Sequence, residues 1–224
     1  MFLLVPSPLL GPATWRGVER WLSQQAHEAQ TVDLGARSRT PDGVLTAVAA
    51  AAGDREVVLV PHSNAGLYAP HLATLVDVRA TVYVDAALPG PASEEETPLA
   101  PPAFLDLLRT LADEDGVLPP WTQWWDDVAD LFPDEATRAA IEAEQQRLPL
   151  DYFTSLVPTP RDWRERGAAY LAFGDTYAEE RDLAIRAGWP TRTIAGGHLH
   201  QLHDPAGVGR AIVDLAEELE HPAP

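Results

Sequence analysis

The order of the apolar runs limits this chain's fold more than any other feature of its sequence. Short stretches of β-branched and aliphatic residues alternate with longer stretches of helical spacing, the pattern of a parallel sheet joined by crossover helices. Residues 2–6 form the first apolar run. Residues 14–25 follow, with Trp15, Val18, Trp21 and Leu22 at helical spacing. A strand is predicted at 31–34 and an alanine-rich helix at 41–52. The continuous apolar run at 56–60 is bounded by charge and predicts a central strand buried on both faces. Residues 64–75 carry Leu67, His71, Leu72 and Leu75 on one stripe, and 80–84 read as the next strand. The resulting order, β-α-β-α-β-α-β, predicts an open, mostly parallel, doubly wound α/β sheet.

The texture changes after Asp85. Residues 89–166 hold most of the prolines and the run Glu94-Glu95-Glu96, with no strand-like segment. Three helical pieces, 102–112, 121–131 and 134–148, read as a helical cap insertion. Alternation resumes with a strand at 168–173, a helix at 178–187, a strand at 191–194 and a last helix at 205–218, where Pro205 suits a first turn. The predicted organisation is a core of residues 1–88 and 167–224 with a cap of 89–166. Insertions of this kind sit where strands end and ligands bind.

Composition narrows the chemistry. A length of 224 residues suits one large α/β domain or one domain carrying an insertion. The net charge of −18 repels a polyphosphate or an anionic membrane surface, so the expected partner is a small-molecule substrate, with no nucleic acid and no membrane. The chain has no cysteine, which excludes disulfides, thiolate metal sites and a cysteine nucleophile. It also has no lysine, which removes Schiff-base chemistry and a P-loop lysine. The all-arginine basic set, with abundant alanine and proline, fits a GC-rich bacterial gene. The apolar N-terminus is too short for a secretion signal or a membrane span, so a cytoplasmic location is expected.

The segment Val57-Val-Leu-Val-Pro-His-Ser63-Asn-Ala-Gly66 places a serine where a buried strand must turn sharply into a helix. A nucleophile elbow needs small residues two before and two after the nucleophile, because strand and helix pass close together. Ala65 meets the second requirement, and Pro61 stands in the first position. The turn aims the Asn64 backbone NH at any oxyanion formed at Ser63. The alternative role for Ser63 is a plain helix N-cap. Further along, Gly196-Gly-His198-Leu-His-Gln-Leu-His-Asp-Pro205 follows the last predicted strand, so His198 lies on a loop at the same sheet edge. His198, His200 and His203 also form an H-x-H-x-x-H cluster, but without a carboxylate of suitable spacing no metal is expected.

From these residues the chain resembles the α/β-hydrolase superfamily, whose catalytic histidine sits on a Gly-His loop just before a final helix opened by proline. The likeness runs over essentially the whole chain. It takes in the first strand and a loop with Gly11 and Trp15, the elbow at Ser63, the segment Val84-Asp-Ala-Ala-Leu-Pro-Gly90, the cap and the histidine loop. On this resemblance the chain is expected to lack the first antiparallel hairpin of that fold and to begin at the strand usually counted third. The elbow and the Leu-Pro segment are similar to the cofactor-free branch of plant methyl-esterases and hydroxynitrile lyases.

The resemblance implies an esterase or thioesterase that needs no cofactor, acting on a small, largely apolar substrate with Ser63 as nucleophile and His198 as general base. It implies an acid after the strand at 168–173, with Asp175 preferred. The superfamily acid usually stands three residues after the glycine, where this chain has Tyr177, so Glu179 is the alternative. It implies a second oxyanion donor after the first strand, and Leu9 is expected to supply it because Pro8 has no NH. His62, Asp85, Trp121, Trp124 and Trp125 are the expected pocket residues, the spacing of the tryptophans placing Trp121 with either Trp124 or Trp125 on one face of a cap helix. Two other functions stay open: a lyase or cyclase moving a proton between Ser63 and His198, and a ligand-binding module without turnover.

Overall fold

The computed structural model describes residues 1–90 and 95–221. The run at Glu94–Glu96 therefore begins outside the described residues. The first half of the core comprises β1 (Phe2–Val5), α1 (Arg16–Gln24), β2 (Ala29–Thr31), α2 (Pro41–Ala52), β3 (Val57–Ser63), α3 (Ala69–Leu75) and β4 (Val78–Ala86). Next come β5 (Glu96–Pro98), α4 (Pro102–Leu111), α5 (Glu135–Glu142), α6 (Leu150–Thr154) and β6 (Leu156–Pro158). The core closes with β7 (Ala168–Phe173), α7 (Ala178–Arg186), β8 (Thr191–Ile194), α8 (His200–His203) and α9 (Pro205–Glu220). Among the described residues no helix is long and apolar enough to cross a membrane.

Six strands form one parallel sheet in the order β2-β1-β3-β4-β7-β8. The two-residue alternation of strand side chains sends Phe2, Leu4, Val58, Val60, Val82 and Val84 to one face, where they pack with residues of α1 and α9. Leu3, Val5, Val57 and Leu59 point the other way and pack with Val44 and Val48 of α2 and Leu72 of α3. Every residue of β3 is buried, as a strand covered on both faces must be. The apolar burial on the two sheet faces is the main stabilising force, at roughly 25 cal/mol for each Å² removed from water.

The pairing of β3 with β4 shifts once at the start, between Val57 and Val58, runs in register from Val58 opposite Ala80 to His62 opposite Val84, and then slips again, so that Ser63 faces Ala86 and Asp85 is the extra residue. Asp85 has φ 39°, a left-handed value that a non-glycine residue rarely adopts. A bulge of this kind re-aims a side chain at the end of a strand.

Between β4 and β7 the structure departs from the sequence-based expectation in three ways, the first being that the helix expected at 134–148 is the shorter α5, which ends at Glu142. β5 and β6 form a small antiparallel sheet where no strand was expected. Three-residue strands that end in proline carry no readable periodicity. The helix expected at 121–131 is replaced by two 3-10 turns, Trp121–Gln123 and Ala129–Leu131. Local bonds compete with the helix there: the Trp124 indole NH donates to the Pro119 carbonyl and Asp127 accepts from the Ala129 NH.

Candidate active site

At the end of β3 the backbone of Ser63 adopts φ 58°, ψ −133°, a strained conformation for a residue with a side chain. The chain then enters a 3-10 turn, Asn64–Tyr68, packed so closely on β4 that a Cβ at Gly66 would lie 2.1 Å from the Ala87 carbonyl oxygen. Only glycine fits at that crossing. The Ala87 NH donates to the Ser63 carbonyl, which locks the turn to the strand end. The result is a serine hydroxyl lifted above the carboxyl edge of the sheet.

His198 reaches this hydroxyl from the loop after β8, with Nε2 3.0 Å from Ser63 Oγ. Its other ring nitrogen, Nδ1, is 2.6 Å from Asp85 Oδ2. The second carboxylate oxygen accepts from the Phe173 NH at 2.9 Å, and Asp85 is wholly buried. A carboxylate so placed obliges Nδ1 to carry the proton and leaves Nε2 free to accept from Ser63. Tyr170 steadies the strand end that holds Asp85, since its hydroxyl donates to the Ala86 carbonyl and accepts from the Ala86 NH.

His62 lies directly beneath. Its ring stacks on His198 with centroids 4.7 Å apart, and its Nε2–H donates to the His198 carbonyl at 3.0 Å. Burial, and then the neighbouring His198, hold the His62 pKa well below the usual 6.5, so this ring is neutral. A neutral aromatic floor supports His198 without charge repulsion. On the open side, the Tyr177 hydroxyl stands 3.4 Å from Ser63 Oγ, and burial pushes its pKa up to about 12.

Ser63 and His198 open into a cavity of about 950 Å³. Leu67, Leu88, Leu99 and Phe104 give it an apolar wall, and Asp127, Asp130, Glu179 and Glu180 stand along another side. Burial, with Glu179 and Asp85 nearby, raises the Glu180 pKa. A shallower depression over β5 and β6, lined by Glu95, Glu96 and Leu156, has neither serine nor histidine in its wall.

No family model matches the sequence, and no curated protein matches it. Solved structures do. An extracellular α/β-hydrolase from a Paenibacillus species superposes with a TM-score of 0.72 at 14% identity, over 96% of this chain and 98% of that one. Polyneuridine aldehyde esterase gives 0.72 at 15% identity over the same shares. A methylesterase from Arabidopsis gives 0.68 at 14% identity, again over 96% and 98%. This chain has the α/β-hydrolase fold.

Placed on that fold, the residues singled out from sequence separate into groups. Ser63, His198 and the Asn64 turn come together, and Leu9 lines the same cavity, its NH engaged among the described residues only by a long 3.4 Å bond to Ser7 Oγ. Asp175 does not approach His198. Its side chain is 86% exposed and pairs with Arg181 at 2.9 Å. Glu179 is exposed on the cavity wall. The carboxylate behind His198 is Asp85, because the bulge at the end of β4 turns it toward the histidine loop, whereas the turn after β7 directs Asp175 to solvent.

The expected pocket set changes for the same reason. Asp85 and His62 are buried beneath His198 and do not face the cavity. Trp121 and Trp125 line the cavity, but Trp124 packs on Phe104 and Phe153. Among the described residues no three histidine or carboxylate side chains gather to hold a metal. His203 instead bonds the Leu131 carbonyl. Tyr177, Glu180, Asp127 and Asp130 were not singled out for this site. For Tyr177 the only sequence signal was its place three residues after Gly174.

Proposed function

We propose that this chain is a serine esterase or thioesterase acting through an acyl-enzyme, with Ser63 as nucleophile, His198 as general base and then acid, and Asp85 as the group that orients the histidine. The Ser63–His198–Asp85 relay, at 3.0 and 2.6 Å, is the observation that carries this reading. Ser63 Oγ attacks the carbonyl carbon while His198 Nε2 takes its proton. The oxyanion accepts from the Asn64 NH at the start of the elbow turn and from the Leu9 NH, which exchanges its long bond to Ser7 for a charged acceptor. His198 returns the proton to the leaving group. Water then enters the same position and releases the acid.

Residues between β4 and β7 form the roof, with Trp121 and Trp125 over an apolar chamber of a size that suits a small ligand. The carboxylates on the cavity wall disfavour an anionic substrate, so a neutral, largely apolar acyl compound fits. A fluorophosphonate probe tests the assignment. It should add one equivalent at Ser63, and Ser63→Ala should abolish both the adduct and hydrolysis of short acyl esters. Stoichiometric labelling elsewhere with Ser63 untouched would overturn it.

A further inference from the structure

Ser63 is the last residue of β3, and in the sheet order β2-β1-β3-β4-β7-β8 the loops around it arrive from opposite sides. Leu9 follows β1 and comes from one side. Tyr177 follows β7, and His198 follows β8, so both come from the other. The Tyr177 ring lies 5.6 Å from the His198 ring, centroid to centroid, and both line the cavity. Among the described residues Ser63 Oγ is the one hydrogen-bond partner of the Tyr177 hydroxyl. At 3.4 Å that bond is long, so the hydroxyl can turn to an oxygen that arrives beside Oγ.

In a tetrahedral adduct on Ser63, the oxyanion lies toward Asn64 and Leu9. The leaving-group oxygen lies toward the histidine that must protonate it. Resting on the esterase reading above, we propose that Tyr177 is a catalytic residue whose hydroxyl donates a hydrogen bond to the leaving-group oxygen, and that the site is thereby adapted to alkyl oxoesters. The bond between the acyl carbon and the leaving oxygen breaks, its electron pair stays on that oxygen, and the proton comes from His198 Nε2. Tyr177 keeps its own proton and shares it with the departing oxygen as charge builds there.

Alkanols are poor leaving groups, with nearly a full charge on oxygen in the transition state, so they gain most from such a donor. A 4-nitrophenolate spreads its charge into the ring and needs little help. A thioester sulfur is a weak acceptor and gains least.

The test compares wild type with Tyr177→Phe on three substrates sharing one short acyl group: the ethyl ester, the 4-nitrophenyl ester and the ethyl thioester. The expected result is a loss of kcat/KM of about 10- to 100-fold on the ethyl ester, the effect of one hydrogen bond to a developing charge. The other two substrates should change by less than about threefold, and the variant should still form the fluorophosphonate adduct at Ser63. Equal losses on all three substrates, or none on any, would overturn the role of Tyr177 and leave the esterase reading intact. A wild-type protein that neither labels at Ser63 nor hydrolyses any of the three would overturn both.

Discussion

Asp85 meets His198 from an irregularity in the sheet. The carboxylate lies on the extra residue of a bulge, at φ 39°, and touches Nδ1 at 2.6 Å while its other oxygen takes the Phe173 NH. Left-handed backbone at a buried aspartate costs energy and persists only where its surroundings hold it. Here the Tyr170 hydroxyl clamps the next residue, Ala86, through both its NH and its carbonyl. Ser63 carries the same kind of strain one strand away, at φ 58°. The two non-glycine residues of the site with positive φ are thus the first and last members of the hydrogen-bond relay.

Asp85→Asn should lower kcat by about 10³- to 10⁴-fold, because an amide at that position no longer forces the proton onto Nδ1. Asp175→Asn should leave kcat within about twofold, since it breaks only an exposed ion pair with Arg181 of small energetic weight. Steady-state kinetics on one activated ester, with thermal melting as the folding control, distinguishes the two variants. Comparable effects from both would sink the assignment of Asp85.

Stability should decline as the pH drops below 6.5, and His62 should account for a measurable share of that slope. Its folded pKa is depressed by burial, and its Nδ1 has no hydrogen-bond partner among the described residues. On acidification the unfolded chain takes up this proton first, so the stability present above 6.5 is progressively lost below it. His62→Gln keeps a donor for the His198 carbonyl and has no proton to titrate. Melting temperatures between pH 7 and pH 5 should therefore fall less steeply in the variant. Some slope should survive from His200, whose pKa burial also lowers. Identical slopes would show that His62 titrates normally in the folded protein.

Among the three neighbouring tryptophans, burial divides the consequences of truncation. Trp124 is 6% exposed and packs on Phe104 and Phe153, so Trp124→Ala should cost about 3–5 kcal/mol of stability. Trp125 is 43% exposed on the cavity wall, so Trp125→Ala should melt close to wild type while raising KM. Denaturant unfolding and kinetics on the same two variants test the division. An unstable Trp125→Ala with unchanged KM would make that residue a brace.

Esters bearing a second, ionised carboxylate should be poor substrates compared with neutral isosteres. Asp127, Asp130, Glu179 and Glu180 share the cavity with Ser63, and among the described residues none of the four is paired with an arginine. Repulsion of this kind weakens as salt screens it, so the discrimination in kcat/KM should shrink between low and high ionic strength. Glu180→Gln, which alters the half-buried member, should shrink it as well. A hemisuccinate ester turned over as fast as its methyl-capped analogue would contradict the argument.

What the sequence determined by itself was whatever depends on neighbours along the chain. The apolar run at residues 57–60, bounded by charge, reads as a central strand. A serine between that strand and a helix could only occupy a sharp turn, and the Gly-Gly-His198 segment could only be a loop after the last strand. These inferences rest on local periodicity and turn chemistry, which operate over a few residues.

Finding the carboxylate behind His198 was a different kind of problem, for the resemblance pointed to Asp175 or Glu179 and Asp85 was expected only in the pocket. Asp85 and Asp175 both stand at strand ends, and nothing within a few residues of either shows which one reaches His198. The tertiary structure decides it, through the slip in register between β3 and β4 and the packing of Tyr170 against Ala86. The same holds for residues 121–131, whose helical spacing yields to bonds made by Trp124 and Asp127, and for Tyr177, whose hydroxyl meets a serine 114 positions away. Which carboxylate reaches a histidine is set by the distance between strand ends in space, and that distance exists only once the sheet has formed.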